Sequence, residues 1–104
     1  MSHVAAVAKL TSLPGQRDAL AEALRSAVEN TEQEPGTLTY ILHTDSKAED
    51  VLWMYELYTD QAALEAHMST DGFKALGGVI GPFLAARPEL NFATPLFGKG
   101  LPAD

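Results

Sequence analysis

The chain has 104 residues, a formal net charge of −7 and no cysteine. This length fits one small domain, and the lack of cysteine excludes thiol nucleophiles, disulfides, thiolate zinc sites and iron–sulfur clusters. The negative charge argues against nucleic acid or an anionic membrane surface as a partner. No apolar run approaches the ~18 residues of a membrane span and no basic region precedes the first apolar run, so we expect a cytoplasmic protein.

The first half of the chain predicts a strand, a helix and two further strands. Residues 3–10 are short and apolar, which is typical of a buried strand. Apolar residues at helical spacing then predict a helix over residues 15–31. Strands are predicted over 38–44 and 51–58, and the polar segment 45–50 between them indicates a hairpin loop.

The second half predicts a helical region and a last strand. Asp60 is a suitable N-cap for a helix that continues to Met68. Residues 69–72 interrupt it, a helical pattern returns over 73–83, and residues 89–97 predict a strand. Gly77 and Gly78 fall in that second helical stretch, where they indicate close packing, a helix break or space for a ligand.

The order of elements, βαββαβ, predicts an α+β protein with the ferredoxin-like fold. An antiparallel four-stranded sheet would carry both helices on one face. Because strands 38–44 and 51–58 are apolar on both faces, we expect a second chain to cover the other face in a homodimer. We expect residues 1–98 to form a single domain and residues 99–104, with turn formers and no periodicity, to be a loose tail.

Four features carry a family resemblance, namely EPGTLTY at 34–40, YELY at 55–58, the D-x-A-A-L-x-x-H run from Asp60 to His67, and Phe73. In these features the chain resembles the antibiotic biosynthesis monooxygenase domain of the dimeric α/β-barrel superfamily. The resemblance implies a homodimer with a pocket between sheet and helices in each subunit. It also implies an enzyme that uses dioxygen on a small aromatic polyketide or quinol, without metal or flavin.

Membership in a haem-degrading branch of this family can be tested by comparing individual residues. Its members use an asparagine on the first strand, a tryptophan on the second helix and, further along, a histidine that ligates iron. The corresponding positions in this chain are Ala8, His67 and Gly77. Since all three differ, we expect no haem, and the scattered histidines predict no bound metal.

His67 is the candidate catalytic residue. Oxygenation without a cofactor needs a general base that titrates near neutrality, as histidine does. His67 follows Ala63 and Leu64 at helical spacing, so it is expected to face the sheet. The alternative is a core histidine bonded to a backbone carbonyl or to Glu56.

Five aromatic residues are candidate substrate-binding residues. Trp53 and Tyr55 share one strand face and are expected near His67, where they could stack on an aromatic ligand. Tyr40 has the same status. The alternative for all three is packing in the core or in the dimer interface.

Tyr58 and Phe73 complete the candidate substrate-binding set. Tyr58 ends its strand and is expected at the rim of the pocket. Glu56 lies in an apolar strand, where an unpaired carboxylate is costly to bury. A salt bridge or a hydrogen bond to backbone is expected for Glu56, and orientation of His67 is the functional alternative.

The resulting hypothesis is a cofactor-independent monooxygenase with dioxygen as co-substrate. The alternative is a non-catalytic dimer that binds a small hydrophobic ligand. A sugar-phosphate isomerase or a haem-degrading relative ranks lower, the isomerase because the few Lys and Arg residues are predicted at the surface.

Overall fold

The computed structural model describes residues 2–103, which form one antiparallel sheet with helices on one face. The elements are β1 Val4–Thr11, α1 Arg17–Ala23, α2 Arg25–Asn30, β2 Thr37–Thr44, β3 Val51–Tyr58, α3 Gln61–Met68, α4 Asp71–Ile80 and β4 Glu89–Ala93. The strand order β2-β3-β1-β4 is that of the predicted ferredoxin-like α+β fold, which is confirmed. Met1 and Asp104, at the ends of the predicted domain and tail, lie outside the described residues.

The two faces of the sheet differ because successive side chains of a strand point to opposite sides. The helices cover one face, which we call the inner face, and Met54 of β3 packs there with Leu20 and Leu24. On the other face, the outer face, the Trp53 indole N–H donates to Asp45 Oδ1 at 2.8 Å. The Lys9 ammonium lies 5.8 Å from the centre of the Trp53 ring.

Helix α3 begins and ends as the sequence predicts. The Asp60 carboxylate accepts a hydrogen bond from the Ala63 backbone N–H at 2.8 Å, so the predicted N-cap is confirmed. Thr70 caps α4 in the same way by accepting from the Phe73 N–H at 3.1 Å. Gly77 and Gly78 lie inside α4 and do not break it.

Two predicted elements differ from the structure. The single helix predicted over 15–31 is divided at Leu24, whose ψ of −9° is far from the α-helical value of about −42°. The last strand ends at Ala93 instead of residue 97. Pro95 follows two residues later, and its missing N–H cannot join a strand ladder. Within residues 2–103, no helix is long and apolar enough to cross a bilayer.

Candidate active site

An apolar cleft of about 310 Å³ lies between the inner face of the sheet and α4. Its position is the one that the family resemblance implies for a ligand pocket. Two lining residues carry polar side-chain atoms, Tyr40 and Glu56, and the rest are apolar. The lining residues are Ala8, Leu10, Leu24, Tyr40, Met54, Glu56, Phe73, Leu76, Gly77, Ile80, Pro88 and Leu90.

Gly77 contributes space to this cleft. A Cβ atom built on Gly77 would find no atom within 4 Å apart from its own neighbours and its own helix. No other element packs closely against Gly77. Of the three roles considered for the Gly77–Gly78 pair, which were close packing, a helix break and space for a ligand, only space for a ligand fits Gly77.

Tyr40 and Glu56 are direct cross-strand partners on β2 and β3. Directly opposite residues on one face have Cβ atoms about 4.5–5.5 Å apart, so the two side chains enter the cleft side by side. The Glu56 side chain is buried, and its Oε1 accepts a hydrogen bond from the Tyr58 hydroxyl at 2.5 Å. This bond occupies one carboxyl oxygen and leaves Oε2 for a ligand.

Burial determines the protonation of these three groups. It raises the pKa of Glu56 above the usual range, although the Tyr58 hydroxyl and nearby His67 act in the opposite direction. Burial also raises the pKa of Tyr40, and the Glu56 and Glu34 carboxylates raise it further. Burial and the bond to Glu56 raise the pKa of Tyr58. Both phenols therefore stay neutral at physiological pH and can donate hydrogen bonds.

His67 is buried in α3 with one ring nitrogen bound and the other without a partner. Its Nδ1 lies 2.7 Å from Glu34 Oε1, and the Thr37 hydroxyl donates to that same oxygen at 2.7 Å. Its Nε2 is buried and has no hydrogen-bond partner within residues 2–103. The unpartnered atom is the least satisfied polar group in this part of the chain, and it could bind a ligand or a water molecule.

Three aromatic rings surround the His67 imidazole. The ring centroids of Tyr40, Tyr58 and Phe73 lie 5.2, 5.4 and 5.3 Å from the imidazole centroid. These are tilted or edge contacts in the range that aromatic pairs prefer. Such packing fixes the orientation of the imidazole.

A close approach between a turn and α3 brings Glu34 to His67. A Cβ atom on Gly36 would lie 2.5 Å from Ala63 Cβ, so only glycine allows the chain to pass here. His67 is one helical turn after Ala63 on the same face. Glu34, two residues before Gly36, is thereby placed beside the His67 ring.

A small chamber separates His67 from the cleft. It measures about 10 Å³, close to the volume of one water-sized probe. Glu34 and His67 line the chamber but not the cleft, and Tyr40, Phe73 and Leu76 line both. The acidic group that lines the cleft itself is Glu56.

The structure brings some of the predicted site residues together and separates others. Tyr40 and Phe73 contact His67 and line the cleft. The expectation that Trp53 or Tyr55 lies near His67 is wrong, because alternation along β3 puts both on the outer face while Glu56 faces inward. The expected position of Tyr58 at the pocket rim is also wrong, since that residue is fully buried.

The role of Glu34 was missed by sequence reasoning. It lies 33 positions before His67, and no local spacing rule relates two such residues. Glu56 carried a signal, a carboxylate alternating into the apolar face of a strand. The expected salt bridge or backbone hydrogen bond of Glu56 is replaced by a hydrogen bond from the Tyr58 hydroxyl, and the carboxylate bonded to His67 is that of Glu34. Within residues 2–103, no group of three or more acidic or histidine side chains is placed to hold a metal ion.

Comparison with solved structures gives closely similar folds. A Caulobacter crescentus protein assigned to the antibiotic biosynthesis monooxygenases is 29% identical, with a TM-score of 0.86 over 92% of each chain. A Chloroflexus aurantiacus protein with the same assignment is 30% identical, with a TM-score of 0.78 over 95% of this chain and 98% of that one. A Pseudomonas aeruginosa protein is 29% identical, with a TM-score of 0.83 over 93% and 97%.

The comparisons with family models and with curated proteins give different results. No curated protein is similar enough to the chain to count as a match. The family model described as antibiotic biosynthesis monooxygenase matches residues 3–77, which is most of the chain. The matched region includes β1 through β3, α3 and the Phe73–Gly77 wall of the cleft. The chain therefore belongs to the antibiotic biosynthesis monooxygenase family.

Proposed function

We propose that the protein is a cofactor-independent monooxygenase that oxidises a small aromatic polyketide or quinol in the cleft. The observation that carries the proposal is the cleft itself, an apolar space of about 310 Å³ with a buried carboxyl group and a neutral phenol at its floor. A flat ring can be buried there away from water. The family and its neighbours assigned as monooxygenases support the reaction type.

The proposed reaction balances without an added reductant. A ring CH₂ or CH group loses a proton, and the resulting anion passes electrons to dioxygen. At a CH₂ group one oxygen atom becomes a carbonyl and the other leaves as water, and the carbon supplies all four electrons. At a ring CH of a hydroquinone one oxygen atom enters as a hydroxyl group and the other leaves as water, and the ring is oxidised to the quinone in the same reaction, so the substrate again supplies all four electrons. The protein supplies a proton acceptor, a hydrogen-bond donor for the developing anion, and a dry cavity.

Two groups are available as the proton acceptor. The sequence-based proposal assigns this role to His67, whose Nε2 has no partner within residues 2–103 but which lies behind the wall formed by Tyr40 and Phe73. Glu56 lines the cleft directly. Loss of a general base costs ~10² or more in rate. Comparing the rates of His67→Ala and Glu56→Gln therefore identifies the group that takes the proton.

Oxygen consumption by metal-free protein tests the proposed function. We expect uptake above the uncatalysed rate when an anthrone or a naphthohydroquinone is added, with one dioxygen consumed for each substrate oxidised. Gly77→Leu should abolish the activity by filling the cleft. Gly78→Leu is the matched control, because Gly78 is also in open space but does not line the cleft. A broad panel with no uptake would overturn the proposal.

The alternatives make different predictions. Saturable binding without turnover, unaffected by His67→Ala, would favour the non-catalytic binding module. The sugar-phosphate isomerase gains no support from the cleft, since none of its lining residues is Lys or Arg. The absence of cofactor and metal, the homodimer and the cytoplasmic location stay predictions.

A further inference from the structure

We propose that the Tyr40–Glu56 pair recognises a hydroxyl group on a neutral aromatic ligand, and that it rejects aromatic acids. This inference rests on the proposed function because it names the substrate class for the same cleft. It follows from which hydrogen-bonding groups the cleft offers and which it lacks.

The first step concerns the free hydrogen-bonding capacity of the pair. Glu56 Oε1 accepts from Tyr58, and no residue within 2–103 donates to Oε2. The Tyr40 hydroxyl likewise makes no hydrogen bond within 2–103, although its ring packs on His67. One donor and one acceptor are therefore free, side by side, at the floor of an apolar cleft.

The second step concerns the ligand group that satisfies both. A phenolic hydroxyl can donate to Glu56 Oε2 and accept from Tyr40 at the same time. An ether or a quinone carbonyl only accepts, so it uses Tyr40 and leaves the Glu56 carboxylate unmatched. The pair should therefore bind the hydroxyl form of a ligand more tightly than its methyl ether or its quinone.

The third step concerns charge. The cleft is lined by one carboxyl group and by no Lys, Arg or His, and the Glu34 carboxylate also acts on Tyr40 from the adjoining chamber. A ligand carboxylate entering this space would face like charges in a medium of low dielectric. The cleft should therefore exclude aromatic acids that have the same ring.

Calorimetric binding of three matched probes tests the inference without reference to turnover. The probes are naphthol, its methyl ether and naphthoate, which share one ring system. We expect naphthol to bind about tenfold more tightly than the ether, as one hydrogen bond to a charged acceptor allows, and naphthoate to bind more weakly still. Because burial raises the pKa of Glu56, the titrations are made at about pH 8 and repeated at about pH 9, and the ranking should be at least as strong at the higher pH, where more of Glu56 is ionised.

Two variants show whether the pair is responsible for this ranking. Glu56→Gln keeps an oxygen for Tyr58 but presents an amide N–H to the ligand, so the ether and naphthoate should gain relative to naphthol. Tyr40→Phe should weaken naphthol and the ether about equally. Glu49→Gln, an exposed change of the same charge, is the control and should leave the ranking unchanged.

Several outcomes would overturn the inference. These are equal binding of naphthol and naphthoate, an unchanged ranking in Glu56→Gln, and no binding of any probe up to millimolar concentration. If Glu56→Gln does not fold, the order of probe affinities in the unmodified protein still tests the inference. If the three probes bind in the expected order of affinity but no oxygen is consumed, only the proposed monooxygenase activity is refuted. If oxygen is consumed but the probes bind in another order, only the inference about Tyr40 and Glu56 is refuted.

Discussion

At the scale of single residues, the His67 ring is fixed in orientation by its neighbours, yet its Nε2 atom has no hydrogen-bond partner within residues 2–103. Glu34 holds its Nδ1 at 2.7 Å and three aromatic rings pack around it, while Nε2 has no partner within residues 2–103. A purely structural histidine gains nothing from an unpaired buried nitrogen, which costs free energy. A site that binds a ligand or a water molecule at Nε2 accounts for that cost.

The first prediction concerns removal of this side chain. His67→Ala removes the hydrogen-bond partner of the Glu34 carboxylate, whose side chain is only 15% exposed, and opens a space between three rings. We expect it to lower the free energy of unfolding by ~1–3 kcal/mol, as measured by urea denaturation at neutral pH. His43→Ala, an exposed histidine on β2, is the control and should change stability little. Equal stability of the two variants would show that the Glu34–His67 contact contributes nothing.

The second prediction concerns the pH dependence that Glu56 imposes. Because burial raises its pKa, the folded protein holds a proton that the unfolded chain has already released. Stability therefore falls as pH rises from the ordinary glutamate pKa through the raised one, and the loss is complete above it. Glu56→Gln removes this dependence and keeps an acceptor for Tyr58.

Paired unfolding measurements check this second prediction. The stability of Glu56→Gln relative to the unmodified protein should therefore increase between about pH 4 and pH 8, because only the unmodified protein loses stability as the buried carboxyl group releases its proton. Glu49→Gln serves as the exposed control and should show no such trend. A relative stability that stays constant with pH would contradict a raised pKa at Glu56.

At the scale of elements, the turn before β2 and helix α3 fit together through a single glycine. Gly36 approaches Ala63 so closely that a Cβ would lie 2.5 Å from the alanine Cβ, and the Thr59 N–H donates to the Gly36 carbonyl at 2.9 Å. This contact holds the turn against α3 and places Glu34 beside His67. The geometry of the site thus depends on the packing of two elements.

The third prediction uses a matched pair of glycine substitutions. Gly36→Ala should destabilise the protein by about 1–3 kcal/mol, because overpacking forces the backbone to move. Gly78→Ala should be neutral or stabilising by up to about 1 kcal/mol, since that position is helical and in open space. Thermal unfolding of the two variants gives the comparison. Similar melting temperatures would contradict the close approach.

Sequence periodicity predicts the strands and α3 well because each depends on local alternation, spacing or capping. Sequence periodicity fails where the local structure depends on contacts with residues far away in the chain. Leu24 interrupts the first helix without any glycine or proline to mark it. Trp53 and Tyr55 fit a ligand pocket by residue type, yet the choice of which face of β3 packs on the helices depends on residues throughout the sheet. The pairing of Glu34 with His67 depends on the whole fold in the same way.

At the scale of the whole molecule, part of the outer face of the sheet is apolar and exposed in the structure of residues 2–103. Ile41 and Tyr55 are direct cross-strand partners there, with 52% and 37% of their surfaces exposed. Beyond β4, Leu96 and Phe97 are each 85% exposed. Exposed apolar residues of this size on one sheet face are typical of an interface with another protein.

The last prediction is that the protein is a homodimer through this outer face. A two-fold interface brings the same surface patch of both copies together, so Ile41 and Tyr55 of each copy would be buried in it. Ile41→Lys places two like charges in that interface and should give a monomer at micromolar concentration in sedimentation velocity. Val79→Lys is the matched control, because Val79 is a similarly exposed apolar residue of α4, which packs on the inner face. A stable monomer for the unmodified protein, or dissociation by Val79→Lys alone, would exclude the outer face as the dimer interface.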